Sequence, residues 1–169
     1  MTLAVPLSNS KAERALSSAI GKTIEFCHAE GGCLEADEHG LQEQHTLWGN
    51  VSLAVDEDAS FALTSHNDAL QVSEYCGQPG LNAALGHRPR AGIYLRGLGD
   101  FTPISQLRVF EDRETSALIV NFEAGGLVVF EACAKAISVT ISKKDTETAG
   151  LWAERLQTAK AIQGEIQWQ

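Results

Sequence analysis

From Val51 onward apolar residues recur at every second position. Val51, Leu53 and Val55 alternate with polar neighbours, then Phe61 with Leu63, then Leu70 with Val72, and Asp-Glu-Asp or His-Asn-Asp separates the runs. A period of two is the repeat of a strand with one face on a core and the other in water. Short runs divided by turn formers predict an antiparallel meander. The pattern returns in GIYLRG and ISQLRVFED, continues through SALIVNF-EAGG-LVVFEA, which reads as a hairpin, and ends in AISVTIS.

Two stretches depart from it. In SNSKAERALSSAIGK, Ser10 stands three residues before Glu13, the capping-box spacing, and Ala12, Ala15, Leu16, Ala19 and Ile20 form one apolar stripe that stops at Gly21. A second helix is predicted from about Asp145, with Ala149, Trp152, Ala153, Leu156 and Ala159 on its stripe and Gly164 at its end. PGLNAALG has room for a helical turn or two, and Ile166 and Trp168 alternate as in a short edge strand. The expected class is α+β: about eight or nine antiparallel strands in a bent sheet or sandwich, with a helix near each end. No repeat, low-complexity tract or linker divides residues 1–169, and one domain of this length holds a full core without staples.

The stretch CHAEGGCLEADEHGLQEQH places Cys27, Cys33, His39 and His45 six residues apart each time. With Gly31 and Gly32 in a hairpin loop, Ala29 pairs with Cys33 and Cys27 with Glu35, which puts both thiols on one face as diagonal neighbours, roughly 7–8 Å apart. That span is too wide for one zinc, and zinc knuckles space their cysteines two to four apart. A solvated acidic hairpin is therefore the preferred reading. The rival is a metal-binding protein or metal-dependent enzyme using Cys27, Cys33, His39, His45 and His66. Four cysteines without a secretory leader read as free thiols, and Cys133, in the apolar run VVFEACAKAISV, is expected to be buried.

Charge limits the partners. Between Thr23 and His87 there is no lysine or arginine, whereas eleven of the 22 acids and all five histidines fall there. The net charge is −9. Such a surface repels nucleic acid and anionic membranes and attracts cations or a basic protein. Asp56-Glu57-Asp58 resembles the start of a calcium loop, but the sixth position is Phe61 and the twelfth Asn67, where glycine and glutamate are needed. Gly97-Leu98-Gly99 opens no helix, and neither a G-x-S-x-G elbow nor an H-E-x-x-H pair occurs. No cofactor is expected. HRPR at 87–90 reads as an internal counter-charge to the acids.

These features predict a cytoplasmic, non-catalytic protein that inhibits or shields a basic protein partner, in the manner of immunity proteins, antitoxins or chaperones. Glu35, Asp37, Glu38, Glu43, Asp56, Glu57, Asp58 and Asp68 would meet the partner, with Trp48 as an aromatic anchor. A structural subunit of a homo-oligomer is the third reading.

Overall fold

The alternating runs form strands, and the strands sort into two antiparallel sheets. The structure, a computed structural model, describes residues 5–29, 31–36, 42–55, 59–76, 93–96, 102–142 and 158–162. The first elements are β1 (Val5–Pro6), α1 (Ser10–Ser17), β2 (Phe26–Ala29), β3 (Gly31–Ala36), β4 (Gln42–Trp48) and β5 (Val51–Ala54). They are followed by β6 (Ala59–His66), β7 (Ala69–Cys76), β8 (Ile93–Arg96) and β9 (Ile104–Glu111). The last are β10 (Ser116–Phe122), β11 (Leu127–Cys133), β12 (Ala136–Ser142) and β13 (Lys160–Ala161). One sheet runs β1-β7-β6-β5-β2-β8 and the other β13-β9-β10-β11-β12-β4-β3.

The sheets pack face to face, with β6 and β7 lying across β10, β11 and β12. Phe61, Leu63 and Leu70 enter the core from the first sheet, and Leu118, Phe130 and Ile137 from the second. The helix α1 packs beside β1 and β7 and adds Ala12 and Leu16 to the same core, and Ala19 joins them from the turn that follows the helix. Its cap lies one residue earlier than the capping box predicts. Asn9 Oδ1 accepts from the Lys11 amide at 2.9 Å, and Ser10 is the first helical residue. The helix also stops before Gly21, because the Ser17 and Ser18 hydroxyls donate to the carbonyls of Arg14 and Ala15 and loosen its last turn.

The run Ala117-Leu118-Ile119-Val120 is apolar without alternation because β10 is buried on both faces. Leu118 and Val120 face the core between the sheets, while Ala117 and Ile119 join Leu127 and Val129 in a second cluster on the outer face. Phe110 and Ala159 pack against that second cluster.

Three expectations need correction. First, Gly31 and Gly32 make no hairpin. β2 pairs with β5 and β8 in one sheet, whereas β3 pairs with β4 in the other, so the chain changes sheets between Ala29 and Gly31. A two-glycine signal permits a sharp change of direction but does not say whether the strands re-pair. Second, thirteen strands form among the described residues instead of eight or nine. β1 and β13 are two residues long, too short to show a period. Third, the second helix cannot reach Gly164, because Lys160 and Ala161 pair with Val109 and Arg108 of β9. The body of that helix, the PGLNAALG and HRPR segments and the Ile166–Trp168 alternation lie outside the described residues.

One end of the sandwich is stitched across the sheets. In the β6–β7 turn, Asn67 and Asp68 adopt φ of 51° and 60°, a left-handed pair that Asn and Asp tolerate. The Asp68 carboxylate accepts from the Ala134 amide in the β11–β12 turn, and the Ser65 hydroxyl donates to the Ala134 carbonyl at 2.7 Å. Nearby, the Leu70 amide donates to Ser116 Oγ at 3.0 Å, and Thr64 Oγ1 donates to Asn50 Oδ1 at 3.0 Å.

Candidate functional site

Among the described residues, the evenly spaced thiols and the imidazole of His45 form no metal-binding group. Cys27 lies between the sheets with no exposed surface, and burial pushes its pKa up to about 12. Cys33 is exposed on β3, and Cys133, expected to be buried, is exposed at the end of β11. The apolar run before Cys133 ends at the edge of the core. Desolvation, then the charges of Glu131 and Asp68, raise the Cys133 thiol pKa. His45 is buried on β4, opposite Val139, with Nε2 3.5 Å from Glu43 Oε2; this is an ion pair only when the ring is protonated, and Nε2 makes no hydrogen bond. His28 is buried on β2, next in the chain to Cys27, and His66 is exposed beside the Asn67–Asp68 turn. Among the described residues, no group of three or more His, Cys, Asp or Glu could hold a metal ion; His39 lies outside them.

The expected acidic residues divide between the two ends of the sandwich. Glu35 stands opposite Gln44, next to Ala36 opposite Glu43, at the end of the β3–β4 pair. Asp37, Glu38, Asp56, Glu57 and Asp58 lie outside the described residues. Asp68 belongs to the stitched end, where its carboxylate is engaged by Ala134. Trp48 also reaches the stitched end. It is 51 % exposed and lies over Gly31 across the β3–β4 pair, where a Cβ on Gly31 would come within 3.3 Å of the ring.

Sequence reasoning missed a cavity of about 510 Å³, within the ~300–1,000 Å³ range of small-molecule sites. It opens where the chain before α1, the end of β9 and the strand β13 meet. Leu7, Phe110 and Ile162 supply apolar wall, and Glu13, Glu111 and Asp112 supply carboxylates. Asp112 is fixed by the amides of Glu114 and Thr115, both donating to its Oδ1. Lys160 is the one cation lining the cavity among the described residues. These residues come from three segments far apart in the chain. The only local signals were an acid in the first turn of a helix and a Glu-Asp pair at a strand end, and both are ordinary surface features.

Compared with family models, curated proteins and solved structures, the chain matches none.

Proposed function

We propose that the protein is a non-catalytic binder whose acidic surface meets a basic protein partner and inhibits or shields it. One observation supports this reading most. The described strand ends that border the two densest acidic segments leave the sandwich at the same end. β3 closes at Ala36 and β4 opens at Gln42, on either side of Asp37 and Glu38; β5 closes at Ala54 and β6 opens at Ala59, on either side of Asp56-Glu57-Asp58. Both pairs stand opposite the stitched turns, with Glu35 and Glu43 beside the first. Carboxylates gathered there, in a stretch without lysine or arginine, would speed encounter with a cationic surface.

The test is kinetic. Cross-linking and capture from the source cells, followed by association-rate measurements on the purified partner, should recover a basic protein. Its on-rate should fall steeply with added salt and on acidification toward pH 5, where histidine protonation offsets neighbouring carboxylates. Replacing Glu35, Asp37, Glu38 and Glu43 by their amides should slow association at low salt, while the same number of neutralised acids at the stitched end should matter less. An on-rate indifferent to salt and to these substitutions would overturn the reading.

A further inference from the structure

We infer that β3 is an open sheet edge that receives an extended segment of the basic partner as an added strand, one in which lysine or arginine alternates with apolar residues. The inference rests on the partner-binding proposal for the sign of the partner's charge, and it adds where and how that partner is held.

A strand at the end of a sheet keeps one row of amides and carbonyls outside the ladder, a template for another chain unless the edge is blunted. Among the described residues, the two sheets end on β1, β8, β13 and β3. β1 has two residues and closes on Pro6, β13 has two and opens on Lys160, and β8 has four and closes on Arg96. β3 is six residues long, pairs with β4 at every one of them without a bulge, and contains no lysine, arginine or proline. Its backbone reaches solvent. Gly31 and Gly32 are partly exposed, and the surface of a glycine is backbone. Gly32 stands opposite the fully buried Leu47, so its exposure comes from the edge and not from the face of the sheet.

The surroundings select the occupant. Along β4, exposed Trp48 and Gln44 alternate with buried Leu47 and His45, so a strand added beyond β3 continues one outward and one inward face. Trp48 lies across from Gly31, which has no side chain to cover the indole, and a cationic side chain placed beside Gly31 would rest on the ring. Toward its other end β3 carries Glu35, with Glu43 on β4 and with Asp37 and Glu38 following in the chain. The two ends are roughly 17 Å apart along the strand, so one extended segment meets both the indole and the acids. No lysine or arginine occurs between Thr23 and His87, so a second copy paired along β3 would set acids against acids. A basic segment instead gains on both counts.

Amide exchange and peptide titration test this. In the free protein, alternate amides of β3 point away from β4 and should exchange rapidly, while their neighbours are protected. Three blocked seven-residue peptides are then titrated into 15N-labelled protein: lysine alternating with valine, glutamate in place of the lysines, and the lysine form with every internal amide N-methylated. The lysine peptide should bind saturably at millimolar concentration, shift the amides of Gly31 to Ala36 and of Trp48, and protect the rapidly exchanging set. The glutamate peptide should bind about tenfold or more weakly, and the N-methylated one, which cannot donate to the edge, not at all. Trp48→Ala should weaken the lysine peptide about threefold. Successive amides point to opposite sides, so one of Gly32→Pro and Cys33→Pro leaves the β4 ladder intact; that variant should keep the parent's melting temperature and lose the peptide. Protection of every β3 amide in the free protein, a dimer on sizing whose β3 amides are protected, or loss of the fold in both proline variants would each overturn the inference. So would equal affinity of any two of the peptides, or no saturation. Salt-sensitive binding of the lysine peptide that shifts other strands and survives both prolines would overturn it too, yet leave the partner-binding proposal standing. The salt dependence of the partner's own on-rate uses no β3 variant, so that proposal fails or succeeds separately.

Discussion

A single thiol reports how dry the interior is. Cys27 sits between β5 and β8, flanked in register by Leu53 and Leu95, and its pKa is pushed from 9.0 to about 12 by desolvation alone. In the unfolded chain the thiol ionises near pH 9, so between that pH and about 12 the native state holds more protons than the unfolded one. Stability contributed by the protonated thiol is complete below pH 9 and is lost as pH rises through this window, at up to about 1.4 kcal/mol per pH unit. Urea denaturation at pH 8, 9 and 10 should show that loss, and Cys27→Ala should flatten the slope even though it lowers stability at every pH. Parallel slopes in the two proteins would mean that the native thiol is not shielded. The same contrast orders reactivity: a chromogenic disulfide should modify Cys33 first and Cys133 more slowly, because burial and two nearby carboxylates disfavour the Cys133 thiolate, with Cys27 left for the unfolded state.

At the scale of elements, the β6–β7 turn is held by more than its own backbone. Asp68 lends a carboxylate oxygen to the Ala134 amide in a turn of the opposite sheet, and the Ala134 residue is itself at φ 52°. Asp68→Ala should therefore cost about 1–2 kcal/mol and raise amide exchange in both turns, since it leaves a turn amide without its partner. Asp68→Asn keeps an acceptor oxygen and should recover most of that loss. A fall in stability confined to the β6–β7 turn would refute the link between sheets. Such a contact could not be read from the chain, where Asp68 looked like one more acid in a turn. The strands themselves were legible, because alternation and the continuous run at Ala117–Val120 depend on burial that each strand experiences locally. The pairing was not. Ala29 and Cys33 obey the same period whether they face each other in a hairpin or belong to different sheets, and only packing against β5 on one side and β4 on the other separates them.

At the scale of the whole molecule, charge competes with burial. The core and outer-face clusters are apolar, while the chain carries −9 at neutral pH with its acids concentrated between Thr23 and His87. Net charge of this size opposes compaction through self-repulsion. Salt screens that repulsion over about 10 Å at 0.1 M, so raising NaCl from 20 to 300 mM at pH 7.5 should increase the melting temperature. The gain should shrink when Glu35, Asp37, Glu38 and Glu43 are neutralised together, because those residues lie within nine positions of a stretch without lysine or arginine, and should persist when Glu111 and Glu114 are neutralised instead. A melting temperature that falls with salt would show that attractive pairs outweigh the anionic crowding on which the partner-binding proposal rests.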